Sequence, residues 1–246
     1  MSIRNNYKHT LTASYFGYIT QAIVNNFAPL LFVTFQRSFG ISLEKIAGLV
    51  TVNFFMQLVV DLASAKFIDR IGYRVSIVAA HLFAGAGLIM LGTLPFALPD
   101  PYIGLLISIG FYAVGGGLIE VLISPIVEAC PTDKKSAAMS LLHSFYCWGH
   151  VAVILLTTLF FVTAGIKNWH FLAYLWAIIP FANAVYFCLV PINSLAAEGG
   201  AAPMKELFKS KLFWILAVLM VCSGASEQAM SQWSSAFAEA GLKVSK

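Results

Sequence analysis

Residues 75–98 read VSIVAAHLFAGAGLIMLGTLPFAL and residues 102–129 read YIGLLISIGFYAVGGGLIEVLISPIVEA, with only Pro99-Asp100-Pro101 between them. Spanning the hydrocarbon core of a bilayer takes about 20 residues of helix, and both runs meet that length with few ionisable side chains. Lipid offers the backbone no hydrogen bonds, so runs of this kind must be helices that satisfy their own peptide groups. A connector so short makes the two helices antiparallel neighbours. The pair predicts an all-α membrane protein.

The same reading extends to both ends of the chain. Further spanning segments are expected from Leu11 to Phe35, Ile46 to Phe67, Ala137 to Gly165, Trp169 to Val190 and Leu212 to Ser231. The first is far longer than the ~7–15-residue core of a signal peptide, so it is read as a spanning helix. Over the whole chain 59% of residues are apolar and 11% charged, against roughly 45–50% and 25% in soluble domains. The formal net charge of +4 is small and implies no nucleic-acid partner.

Where the cations fall sets the expected orientation. With the N-terminus in the cytoplasm, Arg4, Lys8, Lys66, Arg70, Arg74, Lys134, Lys135, Lys205, Lys209 and Lys211 lie inside. Arg37, Lys45, Lys167, Lys243 and Lys246 then lie outside, and ten against five follows the positive-inside rule. The one long connector, 191–211, centres on Ala-Ala-Glu-Gly-Gly-Ala-Ala-Pro and reads as a cytoplasmic linker. It divides a bundle of six helices, 1–190, from a unit beginning at 212–246.

Ionisable groups inside spanning segments are costly, and each is a functional candidate. They are Asp61, His81, Glu120, Glu128, His143, His150 and Glu227. Glu128 falls near a helix end, where water solvates it, and His81 reads as a packing residue. Glu120 follows Gly115-Gly116-Gly117 and precedes Ser124-Pro125 by one turn, so a buried carboxyl stands beside a close helix contact and a bend. It is the candidate for binding a proton or cation.

Polar stripes run along two other segments. Tyr18, Gln21 and Asn25, with Asn26 adjacent and Pro29 one turn on, share a face of the first. Ser140, His143, Tyr146 or Cys147, and His150 share a face of the fifth. Such stripes either line a wet cavity or join helices by hydrogen bonds. Gln21, Asn25, Asn26, His143, Tyr146 and Glu227 are the candidates for holding a small polar solute.

Asp61 and Asp69 lie eight residues apart on one helical face, and Asp69 opens the turn Asp69-Arg70-Ile71-Gly72-Tyr73-Arg74. The turn reads either as a plain basic hairpin at the cytoplasmic surface or as a gate. Cys130, Cys147, Cys188 and Cys222 are scattered over separate segments and read as free thiols. No metal site and no cofactor are expected.

The Asp-Arg-x-Gly-x-Arg turn between a second and third helix resembles a signature loop of the major facilitator superfamily. Ala65 stands where that loop usually has glycine. A second stretch, Gly115 to Glu120, Ser124-Pro125, Pro131, Leu141-Leu142-His143 and Gly149, resembles the fucose permease group of sugar:proton symporters within it. Asn25 and Asn26 before Phe35-Gln36 resemble the same group's first helix. Pro29 takes the place of that group's acid and Ser124 that of its asparagine.

The resemblance implies an N-terminal six-helix bundle of that superfamily, a linker and a seventh transmembrane helix. It implies an alternating-access transporter in the plasma membrane, moving a sugar-like solute with H+. Glu120 matches the protonatable glutamate, while His143 and Tyr146 match sugar-contacting positions. Asp61, Asp69, Arg70, Gly72 and Arg74 belong to the gating motif. It also implies a C-terminal bundle of which only the first helix is present, so the chain is expected to transport only when paired with a second copy or with that bundle. The alternatives are a non-transporting scaffold or receptor on the same fold, and a membrane-embedded enzyme, for which no nucleophile elbow or paired-histidine motif argues.

Overall fold

The computed structural model describes residues 3–193 and 208–243, with the side chains of Ala65, Lys66 and Asp69 outside the description. Most of the expected linker, including Lys205, and the terminal Lys246 therefore lie outside the described residues. The helices are α1 (Tyr7–Asn26), α2 (Phe32–Phe39), α3 (Leu43–Ile71), α4 (Tyr73–Ala97), α5 (Pro101–Glu128), α6 (Lys135–Ala164), α7 (Trp169–Leu189) and α8 (Lys211–Ala240). A short 3-10 stretch, Ala28–Leu31, joins α1 to α2, so Tyr7–Phe39 crosses as one interrupted span. Among the described residues, seven segments are long and apolar enough to cross a membrane.

Local chemistry explains the turns. Asp100 caps α5 by accepting from the Tyr102 backbone N–H, and Pro101 takes the first helical position, where no N–H is needed. The turn expected over 69–74 is far tighter than its sequence suggested. Helix α3 runs on to Ile71, α4 begins at Tyr73, and Gly72 alone reverses the chain with φ +90°. Arg74 then reaches across to α7, donating to the carbonyls of Phe187 at 2.8 Å and Cys188 at 3.1 Å. A cation at a helix C-terminus offsets the partial negative charge of unpaired carbonyls.

Helix α5 is the hub, packing on α4, α3 and α1. Its three consecutive glycines each face a different neighbour. A Cβ on Gly115 would lie 2.5 Å from the Ala80 carbonyl oxygen and the Ala84 nitrogen of α4. One on Gly116 would meet Val24 and Gln21 of α1 at 3.1 and 3.2 Å, and one on Gly117 would lie 3.1 Å from the Gln57 backbone of α3. Lipid tails are as apolar as leucine, so helices gain little by hiding leucine from lipid and associate by close packing and hydrogen bonds. The triple glycine supplies that closeness.

A buried polar knot ties α1, α4 and α7. The fully buried His81 pairs its Nδ1 with the Ile77 carbonyl at 2.8 Å and its Nε2 with the Asn183 Nδ2 at 2.9 Å, and Asn183 Nδ2 also donates to the Ala13 carbonyl at 3.0 Å. His81 is thus the packing residue its position suggested. Apolar side chains such as Leu155, Leu159 and Val162 on α6, and Ile178 and Val185 on α7, point outward.

Helix α8 meets the rest of the molecule through its second half. Arg37 Nη1 donates to Glu239 Oε1 at 2.8 Å, and the Phe32 and Trp233 rings lie 5.6 Å apart. The first half, including Leu212, Leu216 and Met220, is exposed. The molecule is therefore drawn together at the end that carries Gly40 and Gly165 and parted from α8 at the end that carries Gly72.

Candidate solute-binding site

Between that junction and the Gly72 end lies a cavity of about 450 Å³. Its wall is built from Tyr18, Gln21 and Asn25 of α1, Phe54, Gln57, Leu58 and Asp61 of α3, and Glu120 of α5. His143 and Tyr146 of α6 and Glu227 and Gln228 of α8 complete it. Five of the seven spans contribute.

Two polar chains order the wall. Gln21 Nε2 donates to Glu120 Oε2 at 3.2 Å and, at 3.4 Å, to Gln57 Oε1. Gln57 Nε2 donates in turn to Asn25 Oδ1 at 2.9 Å and Asn53 Oδ1 at 3.2 Å. The Gln57 amide donates to two carbonyl oxygens and turns its own oxygen to Gln21. Tyr18 shares a hydrogen bond of 3.0 Å with Ser124, its ring 5.6 Å from that of His143 and 6.4 Å from that of Tyr146. Tyr146 also interacts with the side chains of Asn25 and Asn26.

Pro29 explains how α8 is joined here. A proline has no N–H for the carbonyl four residues earlier, and that carbonyl belongs to Asn25. Gln232 Nε2 donates to the Asn25 carbonyl at 2.9 Å, and Ser231 donates to Asn26 Oδ1 at 2.6 Å. The break between α1 and α2 thus becomes a docking point for the seventh span. Asn26, expected to touch solute, is bound to Ser231 and to the Ala22 carbonyl at 2.9 Å. It is absent from the cavity wall.

Gln21, Asn25, Glu120, His143, Tyr146 and Glu227 converge on one cavity. Glu120 is exposed to that cavity rather than sealed among helices, because the wide space beside it keeps its outer side free. Asp61, grouped with the Gly72 turn as a gating residue, lies in the same wall. Nine residues of helix, about 13 Å, separate it from Arg70. Arg70 is exposed at the Gly72 end, Arg74 is bonded to α7, and the Asp69 side chain is outside the described residues. His150 does not line the cavity, and the four cysteines are free.

Asn53 and Gln57 were not singled out from the sequence. The signal was present: Asn53, Gln57 and Asp61 recur every four residues in an apolar span and so share one helical face, as Tyr18, Gln21 and Asn25 do.

Among the described residues seven apolar spans, five of them lining a polar cavity, define a polytopic α-helical membrane protein. The family model for the Major Facilitator Superfamily matches residues 14–245, and the chain belongs to that superfamily. Its members are secondary transporters of small solutes rather than enzymes. No curated protein matches the chain.

Proposed function

We propose that the chain is a proton-coupled carrier of a small, sugar-like polar solute, working by alternating access in the plasma membrane with its N-terminus cytoplasmic. The observation that carries the reading is the bond from Gln21 to Glu120 in the wall of the 450 Å³ cavity. A carboxylate accepts the Gln21 N–H strongly and a protonated carboxyl accepts it weakly, so proton occupancy at Glu120 alters the wall beside the solute. Gln21, Asn25, His143 and Tyr146 supply donors and acceptors for hydroxyl groups, and Tyr18 and Tyr146 supply ring faces.

Alternating access fits the two ends of the molecule. The Arg37–Glu239 pair, the Phe32–Trp233 contact and the bonds from Gln232 and Ser231 to Asn25 and Asn26 close the Gly40 end. Under the proposed orientation that end is extracellular and the cavity faces the cytoplasm. The division into a bundle over 1–190, a linker over 191–211 and the start of a second bundle over 212–246 is part of the same reading.

Calorimetric titration with neutral hexoses and amino hexoses, in two buffers of different ionisation enthalpy, tests the coupling. Solute binding should take up a proton in the parent and none in Glu120→Gln. Binding whose heat is the same in both buffers would remove the proton from the mechanism. Failure of every sugar to bind would remove the sugar-like solute.

A further inference from the structure

The cavity's charges and its unpartnered atoms restrict the solute further than its polarity does. Three carboxyl groups line it, Asp61, Glu120 and Glu227, while among the described residues neither lysine nor arginine does. His143 is the other titratable nitrogen in the wall. Three carboxyl groups against one imidazole make the wall acidic.

The second observation concerns hydrogen bonding. Gln21 is 4% exposed, both its amide contacts leave through Nε2, and its Oε1 turns to Gly116 of α5 without a hydrogen-bond partner among the described residues. Asp61 Oδ1 and Gln228 Oε1, in the same wall, also lack partners. All three are acceptors, and Asp61 and Gln228 are the two whose side chains are partly exposed. A buried acceptor without a donor is costly, so such a wall is complementary to a ligand rich in N–H groups. A protonated primary amine brings three donors and one positive charge.

We propose that the solute carries a protonated amine, that Asp61 is the residue that anchors it, and that the hydroxyl-bearing remainder lies against Tyr18, Tyr146 and Asn25. The two carboxyls then divide the work. Glu120, already paired with Gln21, holds the transported proton, and Asp61, with one oxygen unpartnered, holds the ammonium group. The inference rests on the solute-carrier reading and deepens it from a polar solute to an amino-bearing one.

The test is the melting temperature of the purified chain in detergent and potassium chloride, with matched pairs in which an amine replaces a hydroxyl: glucosamine against glucose, galactosamine against galactose, ethanolamine against ethylene glycol. At a hundredfold excess over its Kd a ligand raises the melting temperature by about 5 °C or more. At least one amine should do so while its hydroxyl twin, at equal concentration, shifts it by less than half as much. Asp61→Asn keeps the side chain's shape and should weaken the amine about tenfold or more and the hydroxyl twin by much less. A loss that falls chiefly on the amine separates an anchoring role from a structural one.

Hydroxyl twins that stabilise as well as the amines, or an amine preference that survives in Asp61→Asn, overturn the proposal and leave the solute-carrier reading intact. A sodium chloride arm that alone reproduces the shift overturns it in favour of an inorganic cation. If no member of any pair shifts a parent that melts cooperatively, the amine proposal and the sugar-like reading fall together.

Discussion

Replacing Gly115 by alanine tests the packing that holds Glu120 in place. The added Cβ would lie 2.5 Å from the Ala80 carbonyl oxygen and the Ala84 nitrogen, both backbone atoms of α4. Ordinary contact begins near 3.4 Å, so α4 and α5 must part by about 1 Å along a seam that a packed interior does not yield freely. Overpacking of this kind costs about 1–3 kcal/mol, against which alanine returns up to about 1 kcal/mol of helix propensity. Gly110 on the same helix has nothing within 4 Å of its added Cβ. Gly110→Ala should therefore be neutral or slightly stabilising, and the two variants should differ by about 2 kcal/mol. Reversible unfolding of both proteins by sodium dodecyl sulfate in mixed micelles measures the difference. A Gly115→Ala protein as stable as Gly110→Ala would refute the account of the triple glycine as a close-packing device.

Gln57→Leu removes bonds to Asn25, Asn53 and Gln21; at about 0.6 kcal/mol for each bond in a membrane protein, the same unfolding assay should register a loss of about 1–2 kcal/mol. Pro29→Ala restores an N–H that competes with Gln232 for the Asn25 carbonyl. It should loosen the outer half of α8, seen as a red shift of emission when Trp233 is the only tryptophan retained. Arg37→Glu sets two carboxylates against each other. Arg37 is 68% exposed and Glu239 10%, and a pair open to water on one side contributes about 1 kcal/mol or less, so global stability should move little. The effect should appear instead as faster thiol labelling of a cysteine placed at Ser231, and the double exchange with Glu239→Arg should reverse it.

The spans were legible because hydrophobic length alone decides them: 75–98 and 102–129 become α4 and α5 with ends shifted by a residue or two. The interruption at Pro29 was visible as a proline, but its use was not. That Asn25 loses a helical partner follows from local sequence, whereas the arrival of Gln232 depends on a segment some 200 residues away. The site was half legible for the same reason. Polar stripes on α1 and α6 show which faces are wet, and Glu120 is marked by the glycines before it. Asp61 was drawn toward the Gly72 turn by its spacing from Asp69, since a helical face extends in both directions and only packing against α5 shows which part of it meets the cavity. The tightness of that turn rests on the single left-handed residue Gly72, which sequence could not separate from a six-residue loop.

In the proposed carrier the wall shared by α1, α3, α5, α6 and α8 holds the solute. The direct measurement is solute protection of single cysteines in a background with Cys130, Cys147, Cys188 and Cys222 replaced. The two positions compared are Phe54 in the cavity wall and Leu155, which is 63% exposed on the outer face of α6. With glucosamine or glucose near saturation, labelling at Phe54→Cys should slow about tenfold and labelling at Leu155→Cys should not change. Equal labelling at Phe54→Cys with and without a solute shown to bind would place the site elsewhere and contradict the account.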